Sequence, residues 1–312
     1  MLTDSNKHRP KLVVLAGPTG VGKTELAIEL AEKFKADIVN ADSMQVYRYM
    51  DIGTAKPGTE EQRRVTHHLI DLVDPDEDFD VAAYLKLARP LISNLDRSQT
   101  PVLVVGGTGF YLRSLLRGIF KGPGQDQSIR SRLKEEARSL GQEALHDRLA
   151  KVDPLTAARV HRHDLFRIIR ALEVFELTGR TISSFQAEHG LAETPYEYIF
   201  FGLNLSREDL YARIRARTRE MFAAGWIEEV EDLLARGYSS DLKPLRAIGY
   251  KQVVAYLRGM MNRSEAEAEV VKQTCRYAKR QLTWLRSQPR LVWHSDGLSE
   301  SFLKTVADFW TG

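Results

Sequence analysis

The run Gly17-Pro18-Thr19-Gly20-Val21-Gly22-Lys23-Thr24 matches the spacing G-x-x-x-x-G-K-[ST], with an apolar run before it and a helical pattern after it. Glycines at these points let the backbone curl until its N–H groups face a common anion. The start of the following helix adds partial positive charge. The pattern assigns Lys23 to terminal phosphates and the Thr24 hydroxyl to Mg²⁺. It specifies a diphosphate or triphosphate and is silent on what the phosphates carry. ATP or GTP is the commonest occupant, so a nucleotide-binding kinase or NTPase is the starting reading.

An NTPase of this kind places an acid for Mg²⁺ at the end of an apolar strand. Here the candidate strand Val102 to Val105 runs into Gly106-Gly107-Thr108-Gly109, which has no acid. The acid stands at Asp42, in Ala41-Asp42-Ser43-Met44-Gln45, just after another short strand. In a parallel sheet that position lies at the carboxyl edge, beside the phosphate loop. A carboxylate there can take a proton from an acceptor that attacks a phosphate-bearing substrate, or it can simply cap a turn. His67 and His68 are adjacent, so on a strand they face opposite ways and are read as structural.

The elements that must hold these groups follow from periodicity. Lys11 to Ala16, Asp37 to Ala41, Pro101 to Val105 and Tyr198 to Asn204 read as strands, the first of them buried on both faces. Thr24 to Phe34 has helical apolar spacing, and strands alternating with helices give a P-loop NTPase-like parallel α/β sheet flanked by helices. Lys121 to Asp126 reads as a linker. Helical patterns fill 128–190, with Asp153-Pro154 and Asp164 as helix starts and a stop near Gly179. The expected organisation is therefore an α/β body, 1–120 and 197–312, interrupted by an all-helical insertion, 121–196. After residue 204 only helices are expected, including Glu208 to Ala224 and one over Lys272 to Arg290.

The 312 residues are 43% hydrophobic, enough for a sizeable core, and the net charge is only +3. The single cysteine, Cys275, excludes an internal disulfide and fits a reducing compartment. The polar start MLTDSNKHRP lacks the apolar core of a signal peptide, and no apolar run is long enough to cross a membrane. A cytoplasmic, monomeric protein without membrane partners is expected. Charge is uneven: Asp71 to Asp80 holds six acids and no base, whereas Lys272 to Arg290 holds six bases and no acid. Arg213, Arg215, Arg217 and Arg219 form a second basic cluster, and His161, Arg162, His163, Arg167 and Arg170 a third.

Several ordered blocks resemble the tRNA dimethylallyltransferases, also called tRNA isopentenyltransferases. They are Gly17 to Thr24, Asp42 to Tyr47, Asp51 to Pro57, His67 to Asp71, Gly106 to Tyr111, Ala247 to Lys251 and Arg276 to Trp284. They run over most of the chain, and the single cysteine makes it resemble the compact bacterial form. The resemblance implies that the loop holds dimethylallyl diphosphate, with Mg²⁺, and that ATP is not consumed. The group would pass to the N6 amine of the adenine on the 3′ side of the anticodon, releasing diphosphate. Asp42 then accepts the amine proton, Thr19 touches the bridging oxygen, and Arg217 binds the diphosphate, with Arg213 the alternative one turn earlier.

The same resemblance points to contacts with the anticodon stem-loop of tRNA. These comprise Asp42, Ser43, Met44 and Gln45; Thr108; Arg130; and Phe166, Arg167, Ile168, Ile169 and Arg170. They continue with Arg246, Ala247, Ile248, Gly249, Tyr250 and Lys251, and with Lys279, Arg280, Gln281, Leu282, Thr283, Trp284, Leu285 and Arg286. Basic residues there would track phosphates, aromatics would stack on splayed bases, and the target adenine must leave its stack. Three alternatives are a small-molecule kinase, an adenylate isopentenyltransferase acting on free nucleotide, and a non-catalytic RNA binder with a vestigial anion site.

Overall fold

The structure, a computed structural model, describes residues 8–120, 122–189, 195–295 and 297–312. Most of the polar N-terminal stretch, and Lys121 of the expected linker, lie outside the described residues. The chain forms two compact units, Met1–Leu116 with Pro195–Gly312, and Arg117–Thr194. The sequence-based boundaries fall after residues 120 and 196.

The first unit is a parallel sheet. Its strands are β1 (Lys11–Ala16), β2 (Asp37–Asn40), β3 (His67–His68), β4 (Val102–Gly106), β5 (Glu197–Leu203) and β6 (Leu291–His294), in the order β3-β2-β4-β1-β5-β6. Its helices among the described residues are α1 (Lys23–Phe34), α2 (Thr59–Arg64), α3 (Val81–Arg97) and α4 (Gly109–Arg117), then five more after the insertion. β1 lies between β4 and β5, and Leu12 to Ala16 are wholly buried, which is why the segment is apolar without alternation. At its end, Ala16 sits opposite Gly106 and Gly202. A Cβ on Gly106 would stand 2.3 Å from the Ala41 carbonyl oxygen, so only glycine lets the β2 and β4 ends approach this closely.

Two strands escape the periodicity reading. β3 is a two-residue ladder beside β2, in which the His68 imidazole reaches the Asp37 carboxylate at 2.7 Å. β6 contradicts the expectation of helices alone after residue 204, because Leu291-Val292-Trp293-His294 is too short to show a period and keeps Val292 58% exposed. The late helices are α10 (Arg207–Ala223), α11 (Trp226–Ala235), α12 (Tyr250–Leu257), α13 (Arg263–Arg286) and α14 (Glu300–Thr311). α13 starts earlier than expected, at an Asn262 cap boxed by Glu265, and stops before Pro289, so Arg290 is outside it. Its acidic first half also reaches the basic run: Glu269 pairs with Lys272 at 2.8 Å.

The second unit is helical: α5 (Gln127–Leu140), α6 (Gln142–Val152), α7 (Pro154–Ala157), α8 (Leu165–Thr178) and α9 (Ile182–His189). The Asp153 and Asp164 side chains cap α7 and α8, and Gly179, at φ 67°, closes α8. Leu133, Leu145, Leu149, Leu172 and Val174 fill the core with Ile168 and Ile169. At 0% and 5% exposure, the side chains of these two isoleucines, expected among the RNA contacts, face the interior.

Glu173 is a wholly buried acid of this unit. It accepts from Arg130 Nε (2.8 Å), Arg130 Nη2 (3.0 Å), Arg170 Nη1 (2.8 Å) and the Asp126 amide (2.7 Å). Burial pushes its carboxyl up, but the two guanidinium groups and the amide outweigh that and hold it below its usual 4.5. A depressed folded value means the pairing stabilises fully above pH 4.5 and is lost as pH falls through the folded value. Glu173→Gln leaves two guanidinium groups facing a neutral amide and should cost about 3 kcal/mol. Hydrogen exchange checks this: amides of α5 and α8 should exchange roughly 10²-fold faster in the variant at neutral pH, with β1 and β4 unchanged.

Candidate active site

The turn after β1 builds an anion cradle. Gly20 and Gly22 take φ of 83° and 97°, a region only glycine enters freely, and the Val21 amide closes onto the Pro18 carbonyl at 3.3 Å. Gly22 caps α1, so the loop amides and the helix N-terminus share one opening. Lys23 folds back and donates to the Pro18 carbonyl at 2.9 Å. Beside it runs a cavity of about 930 Å³ that takes in Thr19, Lys23, Thr24, Asp42 and Arg217.

Two cations converge here. Burial pulls the Lys23 ammonium down to about 8, Asp42 works against that fall, and Arg217 adds to it. Burial also lowers Arg217, again opposed by Asp42. Arg213, one turn earlier on α10, instead donates to the Val21 carbonyl at 3.3 Å and ties helix to loop. Arg217 makes no hydrogen bond within the protein among the described residues, so its donors remain available to an anion.

Asp42 is held by the β2 end. Its amide donates to Asn40 Oδ1 at 3.1 Å, and its Oδ1 accepts the Met44 amide at 2.8 Å. Ser43 donates its amide to Thr108 Oγ1 at 3.0 Å, so Thr108 fixes this turn. Gln45 donates to the Thr54 and Ala55 carbonyls at 3.3 and 3.0 Å. Asp42 through Gln45, Ala247, Ile248 and Tyr250 all line the cavity. Tyr277 stands over the same space; burial, then the Asp42 charge, push its phenol up to about 12, so it stays neutral.

One wall rests on an acid that the periodicity reading did not single out. Glu229, on α11, accepts the amides of Asp51 (2.7 Å), Ile52 (2.6 Å) and Gly53 (3.2 Å) and the Tyr250 hydroxyl (2.8 Å). Nothing near Glu229 in sequence signals a contact 176 residues away. Gly53 is needed because Trp226 Nε1 would lie 2.1 Å from a Cβ there, and Gly249 (φ 94°) because Trp226 Cη2 would lie equally close.

The expected RNA contacts divide by exposure. On α13, Lys279, Arg280, Thr283 and Arg286 are exposed, with the Arg280 guanidinium 5.6 Å from the Tyr277 ring. On the other side, Leu285 is 2% and Gln281 7% exposed, Leu282 is half-buried in the core, and Trp284 packs over Gly109. Arg246 and Lys251 are exposed, whereas Gly249 and Tyr250 are buried. In the second unit Phe166 and Arg167 are exposed, but Arg130 and Arg170 are spent on Glu173.

A phosphate cradle at the carboxyl edge of a parallel sheet puts the first unit among the P-loop α/β proteins. The family described as IPP transferase matches residues 45–288, and the one described as isopentenyl transferase matches residues 10–74. A tRNA dimethylallyltransferase of Geobacter sulfurreducens is 52% identical over 300 residues, 96% of each chain, and one of Desulfosudis oleivorans is 50% identical over 292 residues, 94% of this chain and 93% of the other. The crystal structure of a tRNA isopentenylpyrophosphate transferase from Bacillus halodurans superposes with a TM-score of 0.70 at 38% identity, over 97% of this chain and 95% of that one. A eukaryotic dimethylallyltransferase acting on tRNA gives 0.80 at 26% identity, over 96% of this chain and 79% of that one. The chain belongs to the tRNA dimethylallyltransferase family.

The Lys23 value sets a pH dependence. Protonated Lys23 attracts a diphosphate and neutral Lys23 does not, so donor affinity should be full below about 8 and fall as pH rises through it. Titration calorimetry with dimethylallyl diphosphate should show roughly tenfold weaker binding at pH 9 than at pH 7, and Lys23→Arg should flatten the profile. A flat wild-type profile would remove Lys23 from the anion site.

Proposed function

We propose that this chain transfers a dimethylallyl group from dimethylallyl diphosphate to tRNA, onto the N6 amine of the adenine on the 3′ side of the anticodon. The observation that carries this reading is the convergence of two buried cations, Lys23 and Arg217, on the cradle that holds Thr19 and Thr24, with Asp42 lining the same cavity. The bond between the allylic carbon and its oxygen breaks, and its electrons leave with the diphosphate. Lys23 and Arg217 neutralise that charge, and Thr19 faces the bridging oxygen. The N6 amine forms the new bond to carbon and gives its proton to Asp42.

Mg²⁺ belongs to this proposal. Thr24 lines the cavity, and no cluster of three metal-ligating side chains occurs among the described residues. The Thr24 hydroxyl would hold the ion beside the diphosphate. When bound, it would add positive charge at the leaving group. The reaction is assigned to a monomer in the cytoplasm; no described helix is long and apolar enough to cross a membrane. RNA binding is assigned to the outward face of α13 and to Arg246 and Lys251, and, in the second unit, to Phe166 and Arg167.

Mass spectrometry of tRNA nucleosides tests the proposal. Purified protein, dimethylallyl diphosphate and tRNA should yield prenylated adenosine. Asp42→Ala should lower turnover by about 10²–10⁴-fold and leave tRNA affinity nearly unchanged. Wild-type turnover in that variant would refute the proton-acceptor role, and label passing from ATP to a small molecule would favour a kinase.

The exposed cations make a separate prediction. Removing one cation that pairs with an RNA phosphate lowers the slope of log affinity against log salt by roughly 0.7 to 0.9. Lys279→Ala with Arg280→Ala should therefore weaken tRNA binding and flatten its salt dependence, with donor affinity retained. An unchanged slope would move the RNA track off α13.

A further inference from the structure

Gln281 lies on the inward face of α13, four residues after Tyr277, and is 7% exposed. Its Oε1 accepts the Thr19 amide at 2.9 Å, and its Nε2 donates to the Gly107 carbonyl at 2.8 Å. One partner must donate and the other accept, so the amide has a single satisfied orientation. The contact also demands glycine at 107, where a Cβ would stand 2.4 Å from Nε2. One side chain thus bridges the phosphate loop and the β4 end, elements 262 and 174 residues away in the chain.

The bridge has a chemical consequence. In a phosphate loop the backbone N–H groups turn toward the anion. Here the Thr19 N–H is committed to Gln281 and is withdrawn from that set. What Thr19 can offer a bound diphosphate is its side-chain hydroxyl. We propose that Gln281 is a positioning residue, which holds the Thr19 backbone so that this hydroxyl, and not the amide, meets the donor. Its amide acts through Thr19, since both of its bonds go to backbone groups. The inference rests on the transfer reading for the role of Thr19, while the bridge itself bears on any diphosphate in the loop.

Full-length Gln281→Met keeps side-chain length and removes both bonds. It should bind inorganic diphosphate about tenfold more weakly, lower kcat by about 10–10²-fold, and keep tRNA affinity within about twofold, because a misplaced group costs rate more than it costs remote binding. Gln281→Glu supplies a second readout. One carboxyl oxygen can still accept from Thr19, but the other bonds Gly107 only when protonated. Its kcat should approach wild type at low pH and fall as pH rises, in a limb additional to the one that Lys23 gives the wild type and one that loss of packing alone would not create. Unchanged diphosphate affinity and kcat in Gln281→Met would overturn the proposal, as would weakened tRNA binding with the donor unaffected. If the wild type transfers no dimethylallyl group, the transfer reading fails; diphosphate affinity in Gln281→Met then still decides the bridge.

Discussion

Two positive charges held away from water are each costly to bury, and the phosphate pocket of the first unit is built around that cost. Lys23 and Arg217 come from distant parts of the chain, one opening α1 and the other on α10, and each is depressed by burial. Asp42 relieves part of the strain without closing on either as a salt bridge. In the proposed transfer, a diphosphate would complete this pocket electrostatically. The charges that attract the donor would also favour its departure as an anion, so binding and bond breaking would draw on one arrangement.

Helix α13 connects this pocket to the surface. At 3.6 residues per turn, Tyr277, Gln281 and Leu285 fall on one side, and Lys279, Arg280, Thr283 and Arg286 on others. The inward side bolts the phosphate loop to β4 through Gln281 and packs Trp284 over Gly109. The outward side presents exposed cations. Glu229 does comparable work on the opposite wall, where three consecutive amides and Tyr250 converge on one carboxylate. Rigidity at both walls suits an acceptor that must present one amine at one carbon.

The cradle was legible in sequence because it is local: loop, strand and helix lie within 11–34, and spacing alone fixes their relation. Asp42 was legible from its place after a strand. β1 and β4 showed as apolar runs, whereas β3 and β6 did not, since two to four residues leave no period to read. Glu173, Glu229 and Gln281 were invisible to periodicity. Most of their partners lie dozens to hundreds of residues away, and an acid or amide within a helix gives no sign of its own burial. Arg130 and Arg170 illustrate the converse: a basic stripe in sequence turns out to be the counter-charge of a buried glutamate.

The central claim is that the phosphate loop serves a reaction at carbon and not at phosphorus. Dimethylallyl diphosphate carrying ¹⁸O in the oxygen between carbon and phosphorus tests it directly. After turnover with tRNA, the account predicts all of the label in the released diphosphate and none in free alcohol. Label appearing in dimethylallyl alcohol, in step with diphosphate release and without prenylated adenosine, would mean that the phosphorus–oxygen bond had been cut, and would contradict it.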